Sequence, residues 1–177
     1  MSAPAIILVG VCGSGKSLLG PMLARSLSAV FDDADDYHLP ENRAKLAAGI
    51  ALTNEDRRPW YVKLRRRILE VRGQGERHVM ACPALNVTLR RWLRGEDAAD
   101  ALLFILLECP RETIEERMKA RTAHFMSPSL IGSQFAALEL TDDLVRVRND
   151  RDPQLVLADI IACIAAIRPT STPLAFT

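Results

Sequence analysis

Several features that mark other classes of protein are scarce in this chain. Its four cysteines are widely spaced and form no C-x-x-C pair, so we expect reduced, mostly buried thiols in a cytosolic protein. The leading apolar run, residues 5–11, is too short to span a bilayer, and no charged secretion-signal region precedes it. An Asn-Lys-x-Asp guanine signature is missing, which counts against a GTPase switch.

The chain also lacks an excess of either positive or negative charge. The 23 basic and 22 acidic residues leave a net charge of +1, and aromatic residues make up only 5% of the chain. This balance argues against a general nucleic-acid coat or a polybasic membrane binder. The arginines of residues 57–67 lack the interleaved aromatic side chains of a single-strand binder, so we expect neither nucleic-acid nor membrane partners.

The length and the order of elements predict one α/β domain. A chain of 177 residues is long enough to bury its own core, and we assign residues 1–168 to the domain and 169–177 to a frayed tail. Apolar runs alternate with helical patterns throughout, which predicts a parallel sheet covered on both faces. The predicted strands are residues 5–11, 29–31, 77–82, 101–107 and 144–148.

The glycines cluster where the first strand ends. Residues 10–17 read GVCGSGKS and match G-x-x-x-x-G-K-[ST] between a buried strand and a helix, the context that a phosphate-binding loop requires. Backbone N–H groups around Gly10, Gly13, Ser14 and Gly15 would surround phosphate oxygens at the positive end of the helix. Lys16 would reach the β and γ phosphates, and the Ser17 hydroxyl would bind Mg²⁺.

Carboxylates follow the second predicted strand. Asp33 and Asp35 are two residues apart, which would put them on one side of an extended segment at the carboxyl edge of the sheet. One could hold Mg²⁺ through water while the other accepts a hydroxyl proton, as in phosphoryl transfer. The alternative is a solvated acidic turn.

Beyond the loop, several segments occur in the order found in one family of small kinases. They are FDDADDYH at 31–38, residues 42–45 and 49–57, Pro59-Trp60, residues 82–90, RTAHFM at 121–126 and SQF at 133–135. Over residues 5–167 the chain resembles the gluconate kinases, P-loop enzymes allied to shikimate and nucleoside monophosphate kinases. The resemblance implies a sheet of order 2-3-1-4-5, ATP and Mg²⁺ as cofactors, phosphorylation of the gluconate 6-hydroxyl group and a cytoplasmic homodimer.

The same resemblance implies roles for individual residues. It points to Lys16, Asp35 and Arg121 as catalytic, with Asp35 as the base, and to Ser17 and Asp33 as metal ligands. Arg117 joins the loop residues in binding the nucleotide. The residues implied to bind the substrate are Asp33, Asp35, His38, Arg57, Arg90 and His124. Residues 37–76 would form the substrate-binding region and residues 121–137 the lid.

Alternatives stay open at four of these positions. His38 could be a capping or packing histidine, and Arg57 could pair with Asp56 or Glu55. Arg117 and Arg121, four residues apart on one helix face, could form an exposed charged surface.

The chain also departs from the family pattern within residues 82–90, where it has Pro83, Asn86, Val87 and Leu89 in place of a serine, two lysines and a tyrosine. Other acceptors therefore stay open, namely another sugar acid or a shikimate-like hydroxy acid, as does a nucleotide-binding protein without turnover.

Overall fold

The structure is a computed structural model that describes residues 3–96, 101–119 and 129–167. The strands in that part of the chain are β1 (Ala5–Val9), β2 (Val30–Asp33), β3 (His78–Ala81), β4 (Leu102–Glu108) and β5 (Leu144–Arg148). The α-helices are α1 (Lys16–Leu27), α2 (Pro40–Ala47), α3 (Asn54–Gly73), α4 (Val87–Arg94), α5 (Arg111–Lys119), α6 (Ser129–Ala136) and α7 (Pro153–Ile167). A short 3₁₀ turn, Ala34–Tyr37, follows β2.

The strands form a parallel sheet in the order β2-β3-β1-β4-β5, which confirms the predicted fold class and strand order. All five residues of β1 are buried, because helices cover the central strand from both sides. Parallel pairing requires crossovers, and the helices between the strands provide them. The carboxyl ends of β1, β2 and β3 therefore meet at one edge, where the phosphate loop and the acidic segment lie.

Two apolar clusters hold the layers together. On one face α3 and α4 bury Tyr61, Leu64 and Leu93 against the sheet. On the other face Leu19 and Leu23 of α1 pack with Ile160 of α7. A third cluster joins Val11 of the phosphate loop to Ile114 of α5 and Ile131 of α6. This cluster fixes α5 and α6 beside the loop.

Side-chain capping determines where α3 and α4 begin. The Thr53 hydroxyl accepts a hydrogen bond from the Asp56 N–H, and the Asp56 carboxylate accepts one in return from the Thr53 N–H. This capping box satisfies the free donors at the start of α3. The Asn86 side chain does the same for α4 by accepting from the Leu89 N–H at 2.9 Å.

All four cysteines are free thiols, as expected from their spacing.

None of the helices in the described part of the chain has the length and apolar character that crossing a bilayer demands.

Candidate active site

The phosphate loop joins β1 to α1 as the motif predicts. Gly13 and Gly15 have φ angles of +80° and +95°, values that side chains rarely tolerate. A Cβ atom at Gly15 would lie 2.5 Å from the Asn149 side-chain nitrogen. The loop therefore needs glycine at this position both for its backbone conformation and for space.

Lys16 bends back over this loop. Its ammonium group donates to the carbonyl oxygens of Gly10 at 2.7 Å and Val11 at 2.9 Å. Burial lowers the pKa of Lys16, and the nearby Asp35 carboxylate opposes that effect. A cation held over a set of backbone N–H groups is the arrangement that binds a polyphosphate.

Asn149 braces the loop from the end of β5. The side-chain NH₂ group of Asn149 donates to the Ser14 carbonyl oxygen at 2.5 Å. The main-chain carbonyl oxygen of Asn149 accepts from the Arg117 guanidinium at 3.1 Å. Arg117 is thus beside the loop, and its second described contact is the Cys109 sulfur at 3.4 Å. Its side chain is half-buried, whereas Arg121, with which it could form an exposed charged surface, lies outside the described residues.

The acidic segment approaches the loop as predicted but has a different backbone. The Ser17 hydroxyl donates to Asp33 Oδ2 at 2.7 Å, which joins the loop to β2. Asp35 does not continue an extended strand, because Asp33 Oδ1 caps the 3₁₀ turn by accepting from the Asp35 N–H at 3.1 Å. The assumption of an extended segment was wrong, since an Asp side chain at the end of a strand readily starts a turn.

The Asp35 carboxylate differs from an ordinary exposed carboxylate in its electrostatic environment. Its side chain is 62% exposed at the mouth of a cleft. Loss of water to the surrounding protein and the neighbouring Asp33 charge raise the pKa of Asp35, while Lys16 lowers it. A raised pKa suits a carboxylate that accepts a proton.

His38 lies between the acidic turn and α3. Its ring stacks on Trp60 with centroids 3.8 Å apart, and Nε2 is 3.7 Å from Asp35 Oδ1. Burial, with Arg43 and Arg57 nearby, lowers the pKa of His38 to about 4. His38 is therefore neutral near pH 7, and it packs on Trp60 while also lining the cleft.

The cleft opens between α3, α4 and α6 and has a volume of about 620 Å³ that includes open solvent. Most of its wall is apolar, including Leu52, Trp60, Leu85 and Leu89. Arg57 lines it, and its described hydrogen bond goes to the Asn54 side chain at 3.4 Å. The alternative pairing with Asp56 is not seen, because Asp56 caps α3 and binds Lys45 at 2.7 Å.

Arg90 is not brought to the cleft, unlike the predicted substrate residues Asp35, His38 and Arg57. Its side chain is fully buried, and its guanidinium donates to Ala84 O, Glu139 O, Thr141 Oγ1 and Asp143 Oδ2. The expected substrate contact is replaced by an internal one, since a buried guanidinium must use its donors within the protein. Arg121 and His124 lie outside the described residues.

Sequence reasoning did not assign several residues that reach the site. Asn149 braces the loop, Gln134 accepts a hydrogen bond from the Cys12 N–H at 2.6 Å, and the Trp60 indole donates to the Ala34 carbonyl oxygen at 2.8 Å. Gln134 lies in the SQF segment and Trp60 in the Pro-Trp pair, so both could have been found as members of those motifs. One feature of the sequence could have indicated Asn149, namely its position just after a strand of the predicted parallel sheet.

The side chains beside the phosphate loop include possible ligands for Mg²⁺. No group of three or more His, Cys, Asp or Glu side chains within the described ranges could hold a metal. Mg²⁺ usually takes only one or two protein ligands and completes its shell with phosphate and water. The Ser17 hydroxyl and Asp33 carboxylate, in contact beside the phosphate loop, fit that pattern.

A profile of the shikimate kinase family matches residues 12–159. Gluconokinase of Arabidopsis thaliana is 36% identical, over 93% of this chain and 94% of the relative. The thermosensitive gluconokinase of Escherichia coli K12 is 37% identical, over 95% and 91%. The crystal structure of a gluconokinase from Sinorhizobium meliloti 1021 is 33% identical, covers 93% of both chains and superposes with a TM-score of 0.82. The chain belongs to the gluconokinase family.

Membership makes the protein a phosphotransferase with the P-loop kinase fold. The departures from the gluconokinase pattern now have positions in the structure. Pro83, Asn86 and Leu89 line the cleft. The Val87 N–H donates to the Glu139 carboxylate at 2.9 Å. Three of these four departures thus lie along one wall of the cleft.

Proposed function

We propose that this gluconokinase homologue transfers the γ-phosphoryl group of ATP to the 6-hydroxyl group of D-gluconate. The observation that carries the proposal is the Ser17–Asp33 contact of 2.7 Å beside Asp35. This contact joins the phosphate loop to the acidic turn, and Asp35 of that turn lines the cleft. The gluconokinases that share more than a third of its residues support gluconate as the acceptor.

Asp35 is the proposed base. As the acceptor oxygen bonds to the γ-phosphorus, the bond from that phosphorus to the ADP oxygen breaks, and the hydroxyl proton passes to the Asp35 carboxylate. Its raised pKa increases its basicity. His38 stays neutral next to it and offers a hydrogen bond to the acceptor without adding charge.

Lys16 and the loop N–H groups bind the phosphates, and Arg117 contributes positive charge beside the loop. Ser17 and Asp33 would hold Mg²⁺, which when bound neutralises charge on the β and γ phosphates. Arg121 and His124 are proposed to act from the 121–137 lid region, on the strength of the motif alone.

Arg57 is the proposed partner of the acceptor carboxylate. A guanidinium can form two parallel hydrogen bonds with a carboxylate, and this one lines an otherwise largely apolar wall. Residues 37–76, which supply α2 and α3, form the proposed acceptor-binding region. We further propose a cytoplasmic homodimer; the free cysteines support the compartment.

A coupled assay of ADP release tests the acceptor. D-gluconate should stimulate ADP release by the wild type in the presence of Mg²⁺, whereas shikimate and other sugar acids at equal concentration should not. Arg57→Lys, which keeps the charge but loses the planar fork, should raise KM for gluconate more than it changes kcat. No stimulation by gluconate would reject the proposal, and stimulation by a different acid would name the acceptor.

A further inference from the structure

Asn86 lies where the wall of the cleft becomes helix α4, and the two ends of its side-chain amide have different surroundings. Its Oδ1 atom accepts a hydrogen bond from the Leu89 N–H at 2.9 Å, which makes Asn86 the N-cap of α4. Because that backbone group is a donor, the atom facing it must be the amide oxygen, and the NH₂ group is at the other end. Among the residues that the structure describes, this NH₂ group has no acceptor, since the remaining hydrogen bond of Asn86 joins its main-chain carbonyl oxygen to the Arg90 N–H at 3.1 Å.

The residue that carries this unpaired donor lines the acceptor cleft. Asn86 is half-buried there, on a stretch of wall whose other members, Pro83, Leu85 and Leu89, have apolar side chains. The NH₂ group of Asn86 is therefore the side-chain donor that this stretch of wall offers to a ligand.

The proposed acceptor has more polar groups than the charged residues of the cleft can bind. Asp35 is the proposed partner of the reacting hydroxyl group and Arg57 that of the carboxylate, and these two are the charged residues within the described part of the lining. A sugar acid also carries hydroxyl groups along its chain between these two ends. A hydroxyl group that loses water against an apolar wall costs free energy unless it finds a hydrogen-bond partner.

The Asn86 donor is held in place before any ligand binds. Its own amide oxygen is fixed to α4, the next N–H along the chain, that of Val87, donates to the Glu139 carboxylate at 2.9 Å, and Arg90 holds the Ala84 carbonyl oxygen at 3.0 Å. A donor fixed in this way loses little conformational entropy when a ligand binds. The gluconate kinase pattern has a lysine at this position, which is a flexible point charge, whereas the amide is neutral and suits a hydroxyl oxygen.

We propose that Asn86 is a specificity-determining residue whose NH₂ group donates a hydrogen bond to one hydroxyl group of the acceptor, between its carboxylate and the hydroxyl group that is phosphorylated. The proposal rests on the proposed function, since it needs a sugar acid in the cleft. The same side chain caps α4, so the helix sets the position of the donor.

Two variants separate the donor from the cap. Asn86→Asp keeps an oxygen for the Leu89 N–H but has no NH₂ group, and Asn86→Gly removes the side chain at a capping position where glycine costs little stability. Both should raise KM for gluconate by about 5-fold or more, with kcat within about 2-fold of wild type. Both should unfold within about 2 °C of the wild-type temperature. Thr88→Ala, exposed on α4 and outside the cleft lining, should keep the wild-type KM and unfolding temperature.

Monodeoxy derivatives of gluconate provide a readout that a purely structural role would not change. Each derivative lacks one of the hydroxyl groups between the carboxylate and the 6-hydroxyl group. For one of them, kcat/KM in the wild type should be about 5-fold or more below that of gluconate. In Asn86→Gly this ratio should fall to about 1 for the same derivative and stay at its wild-type value for the others.

The outcomes separate the two proposals. If wild type phosphorylates gluconate and both Asn86 variants keep its KM, the role of Asn86 is overturned and the function stands. A raised KM with unchanged ratios for every derivative makes Asn86 a support of the wall only and also overturns the role. If gluconate gives no turnover, the proposed acceptor fails, and the role of Asn86 is decided with the deoxy derivatives of the sugar acid that does give turnover. A wild type that phosphorylates no sugar acid overturns both.

Discussion

At the residue scale, Asp33 and Asp35 illustrate how two nearby carboxylates acquire different environments. Asp33 is held by the Ser17 hydroxyl and by the Asp35 N–H, so both of its oxygens are engaged. Asp35 faces the cleft, where desolvation and the Asp33 charge raise its pKa. Carboxylates in different environments suit different tasks, which agrees with the proposed roles of Asp33 as a metal ligand and Asp35 as the base.

The proposed role of Asp35 as the base predicts a separation of activity from stability. Asp35→Asn should lower kcat by about 10²- to 10⁴-fold while ATP affinity stays within about 3-fold. Because the folded state disfavours the ionised carboxylate, its removal should leave the unfolding temperature unchanged or higher near pH 7. Wild-type kcat should fall as pH drops through the raised pKa of Asp35. Kinetics and thermal unfolding measure both effects.

Asp36→Asn is the matched control, since Asp36 is the exposed neighbouring acid of the same turn. It should keep wild-type kcat. If Asp35→Asn retains kcat, another group is the base.

His38 predicts part of the pH dependence of stability. The folded pKa of about 4 lies below the ordinary value of 6.5, so the unfolded chain takes up a proton first. The stabilisation is complete above the ordinary value and is lost as pH falls from there toward the folded value. His38→Phe keeps an aromatic ring against Trp60 and removes the titration. Between about pH 7 and pH 5, the variant should lose up to about 2 kcal/mol less than wild type in urea unfolding. Equal losses in both proteins would contradict this assignment.

At the scale of elements, Arg90 explains how the start of α4 and the loop before it are held. Ala84 has a φ of +39°, an uncommon value for a residue with a side chain, and its carbonyl oxygen accepts from Arg90 at 3.0 Å. The same guanidinium donates to Asp143 at 3.1 Å just before β5. Arg90 therefore holds the wall of the cleft and the segment after α6 in one arrangement.

Removing Arg90 should weaken that arrangement strongly. Arg90→Ala leaves several acceptors without a donor and should lower the free energy of unfolding by about 3 kcal/mol or more. Arg90→Lys should restore only part of the loss, because an ammonium lacks the planar fork. Arg91→Ala, exposed on the same helix, should change stability by less than about 0.5 kcal/mol. Urea unfolding of the three variants measures these changes in the free energy of unfolding. A small decrease for Arg90→Ala would mean that the hydrogen bonds of Arg90 contribute little to stability.

At the scale of the whole molecule, the parallel sheet brings the site together. The ends of β1 and β2 supply the loop and the acidic turn, and the end of β5 supplies Asn149, although these segments are far apart in sequence. Helices on both faces keep this edge in place. A ligand at the edge contacts groups held by several strands, so its binding energy stabilises the entire fold.

Nucleotide should therefore protect the whole domain from unfolding. A Mg²⁺-bound ATP analogue at about 100 times its dissociation constant should add about 2.7 kcal/mol to the free energy of unfolding of wild type. Lys16→Ala should lose most of this gain and all measurable turnover, since Lys16 is the cation held over the loop. Lys63→Ala, exposed on α3, should keep both. Thermal unfolding with and without the analogue reports the difference, and equal protection of Lys16→Ala would contradict the role of Lys16.

Residue patterns along the chain were enough to predict the fold class and the phosphate loop, and the family resemblance added the strand order. These depend on short-range signals: a buried apolar run, glycines at fixed spacing, and the lysine and serine that follow. Packing between distant segments established the rest. It made Arg90 internal while Arg57 reaches the cleft, started a turn at Asp35, and brought Gln134 and Asn149 to the loop. The sequence alone does not distinguish an arginine that faces the substrate from one that is buried in the interior. Its role depends on which distant segments pack against it, and that packing becomes defined only when the sheet assembles.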